Sequence, residues 1–403
     1  MFTLALRNLF RQKARTLMTL LAITFGVSAL VVSGGFVEDI YIQLRDITIH
    51  TRLGYLQVYE RGYYEFGTRD PYEYIIEQPE RVIERTADIP GVVDVLERIR
   101  FFGLLDNGRA DRAIIAEGVE PAKEAVLSNQ LTILDGRRLT GEDEFAVEVG
   151  EGVAEALALS VGDYVNLTAT TTDGGMNSLE LEVTAVFRTF SKEFDARAVR
   201  LPLATAQSLL DTGGVHALVY SLTGDEATAP VRAAIRERLG TEAFEVFSWY
   251  DLDEFYRKVV DLYQKQFGFL QLIMLGIVLL SVANSVSMTA QERVGEFGTL
   301  RAVGMTSSSV YRLIILENTL LALLGAALGV GVGWLLAQAI SAIGIPMPPP
   351  PNSNSGYTAM IRIEPQILLT AAAIGAVATV LSAIIAGRGP SRRPVADALR
   401  ENI

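Results

Sequence analysis

The chain has 403 residues, room for two or three domains, and joins a positive mean hydropathy of +0.29 to a formal net charge of −12, a pairing foreign to one soluble domain. It has no cysteine, which excludes disulfide frameworks, thiol catalysis and thiolate metal sites. Its two histidines, His50 and His216, stand far apart, so no metal site or His-based catalysis is expected and each reads as structural or surface.

The charge is unevenly placed. From Glu38 to Asp261 there are 41 acids against 22 bases, whereas the rest of the chain has 6 acids and 13 bases. An acidic soluble domain is spliced into a basic, apolar remainder.

The first fifteen residues carry Arg7, Arg11, Lys13 and Arg15 and no acid, and Thr16 to Val37 is uncharged. That run is long enough to cross a hydrocarbon core of ~30 Å as a helix. It exceeds a signal-peptide core and lacks an A-x-A-like site, so an uncleaved span is expected. Val37, Ile40, Tyr41, Leu44 and Ile47 keep helical spacing, which extends the helix beyond the span as a stalk.

From Leu53 to Phe247 short segments alternate. Leu53–Tyr59, Ala113–Val119, Asn166–Thr170, Leu179–Phe187 and Ala217–Leu222 read as strands. Pro79–Ala87, Val153–Leu159, Leu203–Leu210 and Ala229–Leu239 read as helices. The expectation is an α+β domain in two strand-rich portions, one on either side of about Asn129. Thr170 to Asn177, with Asp173-Gly-Gly, reads as a hairpin tip.

Ser248 with Asp251 fits a capping pattern, and Leu252, Phe255, Tyr256, Val259 and Tyr263 continue at helical spacing without Gly or Pro until Gly268. A single rigid rod from Ser248 into a second span, Phe267 to Ala290, is expected. A polar stretch, Gln291 to Arg312, follows. The third apolar run, Leu313 to Ile345, has Glu317 as its only charge and Gly325, Gly329 and Gly333 at four-residue spacing, the pattern of close helix packing in lipid. Glu317 is expected to snorkel to the nearby surface. Ile345 to Gly356 contains four consecutive prolines and reads as an extended loop. Pro365 opens a fourth span ending at Gly387, before a tail with Arg388, Arg392, Arg393 and Arg400. The basic residues fall in the N-terminus, the polar stretch and the tail, so four spans with both ends in the cytoplasm satisfy the positive-inside rule.

The layout and several stretches resemble the MacB/FtsX superfamily of ABC transporter permeases, most of all the LolC and LolE subunits of lipoprotein-release systems. The residues that carry the likeness are Gln291 to Met305, Glu317 with its glycine-rich helix, Arg393 to Arg400, and in the domain Leu134 to Arg138 and Val147 to Val165. The fold this implies is a membrane protein of the bacterial inner membrane with four transmembrane helices and a large extracytoplasmic α+β domain, a MacB-like periplasmic core domain, between helices 1 and 2. Its divisions are residues 1–37 (cytoplasmic N-terminus and first span), 38–262 (periplasmic domain with stalks), 263–290 (second span), 291–312 (cytoplasmic coupling loop), 313–345 (third span), 346–364 (Pro-rich periplasmic loop), 365–387 (fourth span) and 388–403 (cytoplasmic tail).

The resemblance further implies a non-catalytic permease subunit that pairs with a second permease subunit and with two copies of a separate ATPase, which binds ATP and Mg. The chain itself has no G-x-x-x-x-G-K-[ST] loop, no metal site and no expected cofactor or nucleic-acid partner. Glu292, Arg293, Glu296, Gly298, Leu300, Arg301 and Gly304 are the ATPase-coupling candidates, and Gly325, Gly329 and Gly333 the helix-packing ones. Extraction of a lipoprotein, lipid or other lipophilic molecule from the membrane by mechanotransmission is the leading reading. The short turn Asp173–Met176 stands where LolC carries an extended carrier-docking hook. Two alternatives stay open: an efflux permease acting with a membrane-fusion adaptor, and an FtsX-like regulator of a cell-wall hydrolase.

Overall fold

The computed structural model describes residues 2–11, 13–67, 69–128, 131–349, 354 and 356–391. The chain divides into two compact units. One holds residues 1–42, 259–347 and 358–403; the other holds 43–258 and 348–357.

The first unit is helical. Among the described residues four helices are long and apolar enough to cross a membrane, Thr16–Leu53, Glu254–Glu292, Ser307–Ile343 and Pro365–Ala386. Buried valines, isoleucines and alanines from all four meet in one cluster that includes Ile23, Val27, Val282, Ile314 and Ala378. Glycine sets how close the helices lie. A Cβ on Gly325, Gly329 or Gly333 would come within 2.7, 2.6 and 2.8 Å of Ile23, Val27 and Val31 respectively, so three branched side chains of the first helix fill three notches on the third. At the far end of this unit Asp39, fully buried, accepts from the Met360 amide at 2.8 Å and from Arg362 Nε at 3.0 Å.

The second unit is built on ten strands: β1 (Leu56–Glu60), β2 (Val92–Asp106), β3 (Asp111–Val119), β4 (Thr132–Gly136), β5 (Ala146–Gly150), β6 (Tyr164–Thr170), β7 (Met176–Arg188), β8 (Ala198–Pro202), β9 (Ala217–Leu222) and β10 (Phe244–Ser248). They form one sheet in the order β10-β1-β9-β2-β3-β8-β5-β7-β4, with β6 joining β7 back to β2. The two portions expected from sequence are therefore fused. Parallel pairing of β3 with β8 and antiparallel pairing of β2 with β6 stitch them together. These pairings also close a circuit, β2-β3-β8-β5-β7-β6, whose inward residues Phe101, Ile114, Val149, Leu167, Val183 and Leu201 make the main core. The second portion's β7 and the hairpin tip at Gly174 (φ +83) fall where the turn signal placed them.

The expected rod from Ser248 is interrupted. Ser248 and Asp251 do form a reciprocal capping box, but it starts a helix of four residues, Trp249–Leu252. Asp253 then leaves the helical region (φ −94, ψ 89), and its carboxylate accepts from the Tyr256 amide at 2.9 Å, capping a new helix of 39 residues, Glu254–Glu292. Periodicity alone does not register a break one residue long.

Of the Pro-rich loop, residues 350–353 and 355 lie outside the described residues, as do Arg392, Arg393 and Arg400 of the tail. Asn354 is fixed to the second unit: its amide N–H donates to Phe190 O at 3.1 Å and its side chain to Thr189 O at 3.2 Å and to Asp195.

Candidate functional site

The polar stretch is a folded turn, not a connecting loop. The second long helix stops at Glu292, and after Arg293 a nine-residue helix runs from Val294 to Ala302. It ends in a Schellman turn: Met305 N–H donates to Leu300 O at 3.0 Å and Gly304 N–H to Arg301 O at 3.1 Å. Gly304 has φ +110, which a side chain disfavours, and Leu300 and Met305 close the turn by packing on the helical core. Thr306 caps the third long helix, accepting from the Ser309 amide at 3.3 Å.

Arg293 is the centre of this region and points inward. It and Glu317 are each only 7 % exposed. Its Nη1 and Nη2 donate to Glu317 at 2.7 and 3.4 Å, its Nε donates to Glu296 at 3.0 Å, and its guanidinium lies 5.1 Å from the Phe297 ring centre. Asn8 Nδ2 adds a bond of 2.6 Å to Glu317. Glu317 therefore does not snorkel. A buried guanidinium on the preceding turn satisfies it where it stands, and the pair fastens the short helix to the third long helix.

The coupling candidates thus separate by environment. Arg293 and Gly298 are buried, Glu296 is half-buried and also meets Arg11 at 3.0 Å, and Leu300 packs on the core. Glu292 and Gly304 are exposed and Arg301 is partly so. Sequence reasoning passed over Val303. It is 84 % exposed beside the Gly304 turn, an apolar side chain held in solvent by a rigid corner. Its position one residue before the glycine was the available signal. Gly325, Gly329 and Gly333 are on the same long helix as Glu317, facing Ile23, Val27 and Val31 rather than joining the polar group.

A second polar site lies in the large domain, where the first long helix ends. After Thr48 the helix widens into a π turn, Ile49–Leu53, closed by Gly54 at φ +63. The widened turn leaves carbonyls that two buried arginines take. Arg200 Nη2 donates to Thr51 O at 3.2 Å, and Arg98 Nη1 donates to Arg52 O. Arg98 is held by Glu124 through Nη2 at 2.7 Å and Nε at 3.2 Å, and Arg200 lies 3.6 Å from both Glu117 and Glu124. Burial alone would push the Glu124 carboxyl up, but Arg98 and Arg200 overcome that and hold it below its ordinary value. The arrangement is a charged, buried clamp on the end of the helix.

None of these four residues was a sequence candidate, because scattered acids and bases read as a solvated surface. The signal was local: Arg200 sits inside the apolar run Ala198 to Ala204, and Glu117 inside Ile114 to Val119. His216 does have the structural role expected of it. It is buried, its Nδ1 accepts from the Arg100 amide at 3.1 Å and its Nε2 donates to Pro71 O at 3.0 Å.

Two families match this chain. The MacB-like periplasmic core domain covers residues 16–238 and the FtsX-like permease C-terminal region covers 268–395. Over 364 residues the chain is 22 % identical to an ABC transporter permease of Methanocaldococcus jannaschii, covering 85 % of this chain and 84 % of that one. It is 21 % identical over 337 residues to the lipoprotein-releasing system transmembrane protein LolC of Neisseria meningitidis, covering 80 % and 76 %. It is 22 % identical over 160 residues to the macrolide export ATP-binding/permease protein MacB of Psychrobacter arcticus, covering 38 % and 24 %.

Proposed function

The chain belongs to the ABC transporter permeases that join a MacB-like periplasmic core domain to an FtsX-like membrane region, and from that premise we propose that a separate ATPase works through it to extract a lipoprotein or other lipophilic molecule from the outer leaflet of the bacterial inner membrane. The carrying observation is the turn at Val303 and Gly304. It presents an apolar side chain on a corner braced by the Schellman bonds and by the buried Arg293–Glu317 pair. A surface of that kind accepts a push without deforming, which is what contact with a moving partner requires.

In this reading both termini are cytoplasmic, following the excess of Arg and Lys in the N-terminus and the polar stretch. Glu292, Arg301 and Val303 face the ATPase, while Arg293, Glu296 and Gly298 support them. The second long helix is the least buried of the four and carries exposed Phe269, Leu272, Ile277 and Leu280, an apolar face for lipid or for a second permease subunit. The likeness to LolC along most of the chain favours lipoprotein release.

The test is co-purification and transport with the ATPase. Val303→Asp, and separately Glu292→Ala with Arg301→Ala, should lower ATPase retention at least about tenfold, roughly 1.4 kcal/mol of contact, while leaving the subunit in the membrane. Full retention in both variants would remove the contact from this turn. The shorter match to the macrolide exporter supports a second reading, efflux with a membrane-fusion adaptor. Recovery of such an adaptor with the purified protein, in place of a lipoprotein carrier, would favour it.

A further inference from the structure

Beside the π turn the large domain contains a cavity of about 370 Å³, within the range of small-molecule sites. Arg52, Tyr59, Tyr63, Arg100, Glu117 and His216 are among its walls. Tyr59 and Tyr63 are stacked with centroids 4.9 Å apart and planes at 11°, and Tyr63 lies 5.3 Å from the His216 ring. At the mouth Tyr64 and Phe102 remain about half exposed, which a solvated surface does not require of two neighbouring aromatics.

The charges in this wall do not cancel. Arg98 is matched by Glu124, and Glu117 faces Arg200. Arg52 and Arg100 are left without a carboxylate within ion-pair distance among the described residues. Burial and then the adjacent Arg100 push the Arg52 guanidinium below its ordinary value, outweighing the opposing pull of Glu117 and Asp253, so the two cations disfavour each other. An oxyanion between them would relieve that repulsion and receive charge-assisted hydrogen bonds from both. A stacked aromatic wall suits a planar or compact apolar body, not a bare ion.

We propose that this cavity binds a free small amphiphilic oxyanion, a carboxylate or phosphate on an aromatic or compact apolar body, with Arg52 and Arg100 holding the anion and Tyr59 and Tyr63 the body. Because Arg52 belongs to the π turn and Arg100 to β2, an occupant would brace the end of the first long helix against the sheet. The assignment does not depend on what the transporter moves.

The experiment is calorimetric titration of the full-length protein in phosphatidylcholine nanodiscs with phenyl phosphate, benzoate and inorganic phosphate. Phenyl phosphate or benzoate should bind at least tenfold more tightly than inorganic phosphate. Arg100→Gln should weaken that binding at least tenfold with the ligand-free thermal midpoint unchanged, whereas Arg137→Gln, in an exposed pair with Asp143, should leave it intact. Arg52→Gln should act likewise; if it fails to fold, the exposed Arg100 carries the test. No binding of either aromatic anion, or equal binding by Arg100→Gln, overturns the site. Equal affinity for inorganic phosphate overturns the role of the aromatic wall. Phosphatidylglycerol nanodiscs that block phenyl phosphate would assign the anion to a membrane headgroup and overturn a free solute.

Discussion

Arg293 and Glu317 show how a charge survives in apolar surroundings. Each is satisfied by the other and by Glu296 or Asn8, so removing one member strands its partner. Glu317→Gln or Arg293→Met alone should therefore cost about 3–5 kcal/mol, read as a large fall in the thermal midpoint of the detergent-solubilised protein. The double change Arg293→Met with Glu317→Leu should recover most of it. His216 makes the corresponding case in the soluble domain. Burial lowers its pKa to about 4 from an ordinary 6.5, so the unfolded chain takes up a proton over that interval and the folded one does not. The stability it contributes is fully present above pH ~6.5 and falls as pH drops toward ~4, by about 3 kcal/mol in all. His216→Gln should flatten the midpoint-versus-pH curve in that window; an unchanged slope would assign it to other groups.

At the scale of the element, legibility followed the range of the interaction. The spacing of Gly325, Gly329 and Gly333 was visible because small-residue repeats are local, but Ile23, Val27 and Val31, which fill them, lie some three hundred residues earlier. Gly329→Leu should drive the first and third helices apart, at a cost of about 1–3 kcal/mol for overpacking, and Val27→Ala should restore part of the loss. Gly331→Leu on the same helix meets nothing within 4 Å and should be tolerated; the three midpoints together check the packing. Strand β2, the longest in the domain, escaped notice for a different reason. It carries Asp94, Glu97, Arg98 and Arg100, which read as solvent-facing, whereas Arg98 is a buried clamp residue whose partner Glu124 follows on a separate helix. The core strands β5 and β8, buried on both faces, lack the alternation by which strands are recognised.

For the whole molecule, the composition split and the four apolar runs were readable because each is a property of long segments, and the topology that closes six strands into a circuit was not, because it rests on pairings such as Ile115 with Ala198. The helix Glu254–Glu292 is continuous through Val260. On the proposed function, a Gly-Gly insertion beside Val260 should leave ATP hydrolysis by an ATPase partner intact while transport falls at least about tenfold, since a flexible linker absorbs displacement; transport at the original rate would discard rigid transmission. The pairing of the first and last strands of this domain bears on the proposed transmission. The chain enters the domain through β1 and leaves it through β10, and these are antiparallel neighbours with Leu56 opposite Ser248. A motion that spread the two entry points would act on the ladder as a zip, breaking one hydrogen bond at a time from the Leu56–Ser248 end. A motion that carried both together would leave every rung unstrained. If force reaches this domain as proposed, a shared translation or tilt of β1 and β10 is the movement that keeps their ladder intact, whereas scissoring between them would begin to unravel the sheet at its own doorway.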